Sequence, residues 1–312
     1  MNTLYFKYAI EVERLGSITQ AADNLYMAQP NLSKAIKELE DSLGISIFKR
    51  TSKGVIPTQK GSEFLIYAKN VLAQIDKMEA LNTTDDTNRQ CINMSIPHGT
   101  YIADGITNFV SALDQNKEIN INIKETNSME AINNIIYDKF DIGIIRYQSV
   151  YENYFLDYLA DKNFCNDLIW EYELLALMST HHALASVKEV HFSDLNDSME
   201  IMHGDITIPY ISSGESKKSK EATQLDKRIY VYERSIQFDL LSRIHNTFMW
   251  VSPIPKKLLE RYDLTQRKCS VPNHQYKDVL IYPKGYKFTS LDKKLIDKIY
   301  EAKNEVAYRE YY

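Results

Sequence analysis

The sequence predicts an α/β protein that begins with a small helical domain, and three observations lead to this fold class. Residues 2–43 carry apolar side chains at helical spacing. From residue 91 onward, short apolar runs typical of strands alternate with helical segments, which predicts parallel sheets with helical crossovers. The chain has 312 residues, and chains beyond roughly 250–300 residues usually split into domains because a single hydrophobic core stops growing.

The composition excludes several classes of protein. No apolar run approaches the ~18–20 residues that cross a bilayer, and charges interrupt the N-terminus, so we expect neither a membrane protein nor a secreted precursor. Cys91, Cys165 and Cys269 stand far apart and outside any zinc-binding spacing, which favours a reducing cytoplasm and inert buried thiols. Phosphate-binding and hydrolase motifs are lacking, and we expect no cofactor, no metal and no enzyme activity.

The net charge of -5 hides a difference between two parts of the chain. Residues 1–81 contain ten basic and nine acidic residues, whereas residues 82–312 contain 27 basic and 33 acidic residues. Six of the basic residues in the first part fall within a 27-residue stretch: Lys34, Lys37, Lys49, Arg50, Lys53 and Lys60. Such a stretch is either a solvated face or a site for a polyanion, so the acidic total does not exclude nucleic acid.

The first 44 residues predict three helices, over residues 2–15, 18–25 and 29–43. Ser17 and Gln20 have the spacing of a capping box at the start of the second helix. Two helices joined by a short turn make a helix-turn-helix, in which the N-terminal end of the second helix enters the DNA major groove.

The third helix has one apolar and one polar face. Leu32, Ile36, Leu39 and Leu43 make an apolar stripe that faces inward. The polar face carries the predicted DNA contacts Gln29, Pro30, Asn31, Ser33, Lys34 and Lys37. Gln and Asn side chains can bond adenine edges, and Lys can reach guanine or phosphate.

A two-stranded wing is expected after the third helix. Residues 45–48 and 55–57 have strand character and flank a basic segment, whose tip would lie over the DNA backbone. The remaining predicted DNA contacts lie in this wing or at the start of the second helix: Ser17, Thr19, Arg50, Thr51 and Lys53.

Residues 16–61 resemble the winged helix-turn-helix of LysR-type transcriptional regulators. The residues at family positions are Ser17, Ala21, Ala22, Leu25, Gln29, Pro30, Leu32, Ser33, Ile36, Leu39, Glu40, Leu43, Gly44, Phe48, Arg50, Thr58 and Gly61. Two positions depart from the family pattern. Ala28 stands where a capping Ser is usual, so a cap worth ~1 kcal/mol must be replaced or lost. Asn31 replaces a small apolar residue and could add a contact that shifts the operator preference.

A long helix is expected from Thr58 to about Leu81, followed by a polar hinge over residues 82–90. Its apolar heptad repeat comprises Phe64, Val71 and Met78, with Tyr67, Gln74 and Leu81 at the second heptad position. The repeat has two interpretations, because the helix can pack on its own domain or pair with a second copy of the chain. The resemblance implies the second, an antiparallel dimer helix that joins two DNA-binding heads.

The resemblance also implies that the C-terminal domain is periplasmic-binding-protein-like, with two lobes and an effector cleft between them. The predicted division is residues 1–58 for the DNA-binding domain, with the helix-turn-helix at about 18–37, residues 59–90 for the linker, and residues 91–312 for the effector domain. Within the effector domain, residues 91–162 and 268–312 are assigned to lobe one and residues 163–267 to lobe two.

The effector contacts that the resemblance implies lie at predicted strand ends: Pro97, His98, Gly99, Thr100, Thr126, Ser128, Arg146, Met202 and His203. Arg146 is the most informative, since a guanidinium in a cleft suits a carboxylate or another anion. A surface pair with Asp141 or Glu152 is an equally good interpretation. His98 and His203 would face each other from the two lobes, either as ligand-binding or pH-sensitive groups or as polar lining residues.

The sequence therefore predicts a cytoplasmic transcriptional regulator. Its expected partners are double-stranded DNA with an interrupted dyad, a small-molecule effector for which an anion is one candidate, RNA polymerase, and identical subunits in a homodimer or homotetramer. The alternative is a small-molecule binding protein or enzyme built on the C-terminal lobes, with the N-terminal helices serving for association. DNA affinity that falls steeply with salt would favour the regulator.

Overall fold

A computed structural model of the chain describes residues 2–51, 54–80, 88–138, 140–204, 225–271 and 275–308. The chain divides into two compact units, residues 1–87 with 136–139 and residues 88–135 with 140–312. None of the helices in the described ranges is long and apolar enough to cross a membrane.

The first unit contains α1 (Thr3–Leu15), α2 (Ile18–Asn24), α3 (Gln29–Leu43), β1 (Phe48–Thr51), β2 (Gly54–Pro57) and α4 (Gln59–Ala80). The three predicted helices are thus confirmed. α1 ends at Gly16 and α3 ends at Gly44. Both glycines have the left-handed backbone conformation, which other residues rarely adopt. The apolar stripe of α3 packs in the core of this unit, where Leu32 and Ile36 meet Phe6 of α1.

The wing differs from the prediction in the position of its first strand. β1 begins at Phe48 rather than at residue 45 and pairs antiparallel with β2. The backbone N–H groups of Ile47 and Phe48 donate to the Glu40 carboxylate at 2.6 and 3.0 Å. Because a side chain of α3 satisfies these donors, the residues before Phe48 need no strand partner.

The long helix α4 packs on its own domain with part of its surface and leaves other apolar side chains exposed. Thr58 caps its start, since the Thr58 hydroxyl accepts the N–H of Gly61 at 2.9 Å. Leu65 and Ala68 are buried in the core of the first unit, whereas Tyr67 and Val71 are exposed. The side chains of Gln74 and Met78, Leu81 and the predicted hinge up to residue 87 lie outside the described residues.

The remaining elements, in chain order, are β3 (Arg89–Ile96), α5 (Thr100–Ser111), β4 (Glu118–Glu125), α6 (Ser128–Tyr137), β5 (Ile142–Gln148), α7 (Glu152–Asp161), β6 (Phe164–Glu173), β7 (Leu175–Ser179), β8 (Glu189–His191), β9 (Met199–His203), β10 (Arg228–Val231), α8 (Arg234–Arg243), β11 (Thr247–Val251), α9 (Lys256–Tyr262), β12 (Leu264–Ser270), β13 (Gln275–Pro283) and α10 (Ser290–Ala307). They form two sheets, one in each lobe, with the strand orders β4-β3-β5-β13-β6 and β10-β9-β11-β7-β12-β8.

Both sheets are mixed, whereas the sequence predicted parallel sheets. β3 pairs in parallel with β4 and β5, but β13 runs antiparallel to β5 and β6. In the second sheet β7 runs antiparallel to β11 and β12. The reason is that β6–β7 and β12–β13 carry the chain between the lobes in opposite directions. As a result β13 runs against both of its neighbours in the first sheet, and β7 runs against both of its neighbours in the second.

The predicted lobe boundaries are displaced for the same reason. β6 belongs to the first sheet, because its residues pair with β13 from Phe164 to Glu173. β12 belongs entirely to the second sheet, because it pairs with β7 and β8 as far as Ser270. The crossings therefore lie at Leu174 and after Ser270, later along the chain than residues 163 and 268.

The core of the first lobe lies between its sheet and helices α5 and α10, where Met94 and Ile144 of the sheet meet Ile102 and Ile299 of the helices. Gly105 permits the close approach of the two helices, since a Cβ there would lie 2.7 Å from the Cα of Ile299. This packing fixes α5, which begins at the predicted effector contact Thr100 and follows the loop of predicted contacts after β3.

Candidate DNA-binding face and interlobe site

The predicted DNA contacts of α3 lie together on one face of the helix. Leu32 and Ile36 are buried on the opposite side. The exposed members of the face are Pro30, Asn31, Lys34 and Lys37, and Gln29 and Ser33 are half-buried. The face therefore offers amides at the start of the helix, followed by cations one turn later.

The start of α3 lacks a side-chain cap. Ala28 occupies the cap position and makes no side-chain hydrogen bond, so of the two expected outcomes, replacement or loss of the cap, the structure shows the loss. At the start of α2 the Ser17 hydroxyl accepts the N–H of Gln20 at 3.3 Å. This hydrogen bond from the Gln20 backbone is one of the two bonds that make up the predicted capping box.

The basic residues of α3 are loosely paired. Lys34 Nζ lies 3.8 Å from Glu38 Oε1, with 78% and 47% of the two side chains exposed. Glu38 also accepts the Tyr5 hydroxyl at 2.8 Å. An exposed pair of this kind contributes little free energy, so Lys34 can exchange Glu38 for a phosphate at small cost.

The wing brings further polar groups toward α3. Arg50 and Thr51 are exposed on β1. At the start of α2, Thr19 is exposed and Ser17 is half-buried. Lys53 lies outside the described residues. An open depression of about 570 Å³ separates α3 from the wing. Its lining includes Ser33, Lys37 and Arg50, which are groups that bind a phosphate backbone.

In the second unit, His98 and His203 meet between the two lobes, as predicted. His98 lies between β3 and α5, and His203 ends β9. The ring centroids are 3.9 Å apart and the ring planes differ by 14°. His98 Nδ1 lies 3.7 Å from Glu125 Oε2, and the Gln237 amide nitrogen lies 2.9 Å from His203 Nδ1.

Two ion pairs also join the lobes, and the sequence analysis did not predict them. Arg234 of α8 pairs with Glu125 of β4. Lys257 of α9 pairs with Asp104 of α5 at 2.5 Å. The partners in each pair are more than 100 residues apart in the chain, so no local sequence pattern predicts the pairing. The one feature in the sequence that could have indicated such a contact is a charged residue at a strand end, as at Glu125.

Arg146 binds a carboxylate, but one that belongs to the protein. Its Nε and one terminal nitrogen donate to both oxygens of Asp278 at 2.7 Å each, and its other terminal nitrogen donates to the His98 carbonyl at 2.8 Å. The prediction that Arg146 is available for an anionic effector is therefore wrong. The alternative prediction of an ion pair with Asp141 or Glu152 is wrong as well. β5 pairs with β13 in a register that sets Arg146 directly opposite Asp278.

Asp278 is the centre of a buried polar network. It is fully buried and accepts the hydroxyls of Tyr101 at 2.6 Å and Tyr172 at 3.2 Å. Burial, together with the Asp278 charge, raises the pKa of both phenols well above the ordinary value, so both remain donors. Burial favours a lower pKa for Arg146, but Asp278 raises it above the ordinary value and the guanidinium stays charged.

The other predicted effector contacts surround His98 and His203. Pro97, Gly99 and Thr126 are buried, and Met202 is half-buried. The Ser128 hydroxyl is engaged by backbone, since it donates to the Arg146 carbonyl at 2.6 Å and accepts the Arg146 N–H at 3.0 Å. The Thr100 hydroxyl is buried and has no hydrogen-bond partner within the described part of the chain. It is therefore the member of the set that a ligand would satisfy.

The described residues contain no group of three His, Cys, Asp or Glu residues that could hold a metal. The three thiols are not paired with each other; Cys91 is exposed and Cys269 is buried. Burial raises the pKa of the Cys269 thiol to about 11, so this thiol stays protonated and unreactive at neutral pH.

Comparison with known proteins matches part of the first unit to a family. Residues 5–62 match the family described as bacterial regulatory helix-turn-helix protein, lysR family. The chain is 28% identical over 148 residues to the nitrogen assimilation regulatory protein nac of Klebsiella aerogenes, across 46% of this chain and 48% of that protein. It is 24% identical over 216 residues to the HTH-type transcriptional regulator BenM of Acinetobacter baylyi, across 68% of this chain and 67% of BenM. The match to nac thus spans about half of the length of that relative.

Solved structures share the fold over most of the chain. A full-length OxyR variant from Pseudomonas aeruginosa superposes with a TM-score of 0.61 at 16% identity, covering 96% of this chain and 94% of OxyR. Full-length CbnR in complex with its target DNA gives a TM-score of 0.60 at 16% identity, covering 97% of this chain and all 100% of CbnR. At these identities the likeness shows the fold alone. The family match over the helix-turn-helix and the named relatives lead to one assignment: residues 5–62 form a helix-turn-helix domain of the lysR family, and the relatives that the chain resembles are transcriptional regulators.

Proposed function

We propose that the chain is a sequence-specific DNA-binding transcriptional regulator whose activity is modulated by a small molecule bound between the two C-terminal lobes. The observation that carries this proposal is the polar face of α3, which lies within the matched residues 5–62. Its apolar side is buried, while Asn31, Lys34 and Lys37 are exposed. This is the arrangement that a helix needs to read base edges while its other side holds the domain together.

In the proposed complex the start of α3 enters the major groove. Gln29 and Asn31 would bond adenine edges, and Lys34 would reach guanine or phosphate. The wing and the start of α2 would contact the backbone through Ser17, Thr19, Arg50, Thr51 and Lys53. The depression between α3 and the wing would then accommodate one DNA strand.

We further propose that α4 pairs with α4 of a second copy. Ile66, Tyr67 and Val71 are exposed on this helix, and apolar side chains at such spacing gain free energy when a second helix covers them. Two heads joined in this way would bind an interrupted dyad as a homodimer or homotetramer. A regulator of this kind acts on the chromosome and on RNA polymerase, and we therefore place it in the cytoplasm.

The domain division proposed for this function is 1–58 for the head, 59–90 for the linker and 91–312 for effector binding. Within the last, the Thr100 hydroxyl and the rings of His98 and His203 are the proposed ligand contacts. Arg146 is excluded from the proposal because Asp278 neutralises it.

The test is DNA binding by the full chain at several salt concentrations. We expect affinity for fragments of the source genome that falls steeply with salt, because phosphate contacts release counterions. The double variant Gln29→Ala/Lys34→Ala should bind the selected fragment at least tenfold more weakly, since each base contact contributes roughly 1–3 kcal/mol. The control is Lys287→Ala, which removes one exposed positive charge outside the head.

The control should bind DNA as the wild type does. Equal binding by the double variant would contradict the assignment of α3 as the recognition helix. No retention of DNA by the wild type at low salt would contradict the regulator itself and favour a binding protein or enzyme built on the lobes.

A further inference from the structure

We propose that Tyr26, in the turn between α2 and α3, contacts the DNA backbone. Its hydroxyl donates a hydrogen bond to a phosphate oxygen beside the groove that α3 enters. The proposal rests on the DNA-binding function proposed above and adds a residue that the sequence analysis did not single out. The backbone conformation of Tyr26, the exposure of its side chain and its place in the helix-turn-helix support this role.

The backbone of Tyr26 adopts a conformation that tyrosine rarely takes. Its φ is 52°, in the left-handed region, where the Cβ of an L-residue lies too close to the following carbonyl. Among the described residues, the other non-glycine residues with a positive φ are Asn163 and Asp263, and short polar side chains of this type tolerate it by bonding locally. Tyrosine lacks that compensation. Strained residues of this kind cluster at functional sites, so position 26 is a candidate for a contact outside the chain.

The side chain of Tyr26 points into solvent, because 97% of the residue is exposed. The backbone around it is fixed. The Tyr26 N–H donates to the Asp23 carbonyl at 3.1 Å. The flanking residues Leu25 and Met27 pack against the core of the first unit. The turn therefore holds the aromatic ring outward, and removal of the ring leaves the core intact.

In the proposed complex this turn lies at the rim of the major groove. The first helix of a helix-turn-helix crosses the DNA backbone and the start of the second enters the groove, so the turn from α2 to α3 stands between backbone and groove. Tyr26 precedes Gln29 by three residues, which span at most about 11 Å. The major groove is about 12 Å wide. With Gln29 at the base edges, Tyr26 is therefore within reach of the phosphates that border the groove.

A tyrosine hydroxyl suits a phosphate, and its contribution differs from that of the lysines of α3. Phosphate oxygens accept hydrogen bonds from tyrosine, and such contacts position a protein without reading bases. A phenol hydroxyl carries no charge at neutral pH, so unlike Lys34 and Lys37 it displaces no counterion from the DNA. The contact therefore raises the affinity for every sequence to the same extent and leaves the salt dependence of binding unchanged.

The test measures binding of the full chain to two duplexes at several salt concentrations. One is a fragment retained from sheared DNA of the source genome, and the other has an unrelated sequence. Tyr26→Phe removes the hydroxyl and keeps the ring. Its affinity for both duplexes should fall about tenfold, since a hydrogen bond to a charged group is stronger than one between neutral groups. The slope of log affinity against log salt should stay as in the wild type.

Two further variants separate the contact from a structural role. Tyr26→Gly removes the whole side chain, and glycine adopts the left-handed conformation without strain although it adds freedom to the unfolded chain. This variant should bind both duplexes at least as weakly as Tyr26→Phe and unfold at the same temperature as the wild type or a higher one. Tyr308→Phe is the matched control, because Tyr308 is an 86% exposed tyrosine of the second unit. Loss of its hydroxyl should leave DNA binding unchanged.

Wild-type affinity of Tyr26→Phe for both duplexes would overturn the contact. A loss confined to the retained fragment would overturn it in favour of base reading. A lower unfolding temperature of Tyr26→Gly would overturn it as well, because the ring would then support the fold. In each of these outcomes the wild type still binds DNA. Failure of the proposed function is distinguishable, since the wild type itself would then retain neither duplex at low salt, and the contact would fall with it.

Discussion

A lysine of the first unit and two arginines of the second unit differ in how their charges are used. In the first unit, Lys34 is 78% exposed and lies 3.8 Å from Glu38. In the second unit, Arg146 and Arg228 have 14% and 18% of their side chains exposed and bond Asp278 and Glu200 at 2.7 and 3.1 Å. Exposed pairs are weak and can change partner, whereas breaking a buried pair leaves an uncompensated charge. Exposure, more than residue type, therefore separates a cation that can bind DNA from one that fixes the fold.

The largest expected effect is the loss of the buried network. Arg146→Ala leaves the buried Asp278 carboxylate without its cation and should lower the free energy of unfolding of the second unit by about 3–5 kcal/mol. Arg89→Ala breaks an exposed pair with Glu118 at 2.8 Å and should cost less than about 1 kcal/mol. Urea unfolding of both variants makes the measurement. Equal losses would remove the distinction between the two kinds of cation.

A smaller effect is expected on DNA binding, and it tests the exposed cations of the first unit. Lys37→Ala removes an exposed cation of α3 and should reduce the slope of log affinity against log salt by about 1, with unfolding unchanged. Lys293→Ala serves as the control for a general charge effect, because Lys293 lies on α10 in the second unit. The account fails here if Lys37→Ala lowers stability while the salt dependence of DNA binding stays as it was.

The start of α3 gives a third, weaker test. Ala28→Ser supplies the missing cap and should raise the free energy of unfolding of the first unit by about 1 kcal/mol. Ala112→Ser makes the same chemical change at the C-terminal end of α5, where a serine does not cap, and should give no gain. Thermal unfolding of the two variants is compared. A gain from both, or from neither, would show that the cap position of α3 is not the weak point.

The smallest effect is a pH dependence in the second unit. His182 Nδ1 accepts the N–H of Leu184 at 3.0 Å and Nε2 lies 3.2 Å from the Ser198 hydroxyl, so the ring is neutral. Burial lowers its pKa, and below about pH 6.5 the unfolded chain takes up the proton more readily than the folded chain. Stability should fall as the pH drops through 6.5. His182→Asn should show a smaller fall between pH 7.5 and 5.5 than the wild type. His245→Asn removes an exposed histidine of the same unit and should show the same fall as the wild type.

Local patterns predicted the helices well. α1, α2 and α3 lie within one residue of the bounds that periodicity and end signals indicated, because a helix forms from contacts within a few residues. The helical spacing of the residues also predicted the polar face of α3. The first wing strand was misplaced, because Glu40 satisfies backbone donors that otherwise indicate a strand.

Local sequence patterns could not predict contacts between residues that are far apart in the sequence. Arg146 and Asp278 are 132 residues apart, and only the register of β5 with β13 brings them together. The same holds for Glu125 with Arg234, 109 residues apart. The meeting of His98 and His203 could be predicted because the family resemblance placed both at strand ends facing the cleft.

The central claim is that α3 reads DNA sequence, and selection of bound fragments tests it most directly. The full chain is mixed with sheared genomic DNA of its source, and retained fragments are sequenced for the wild type and for Gln29→Ala/Lys34→Ala. The account predicts that the wild type enriches a few fragments sharing an interrupted dyad and that the double variant loses this enrichment. Enrichment of the same fragments by the double variant, or no enrichment by the wild type, would contradict it.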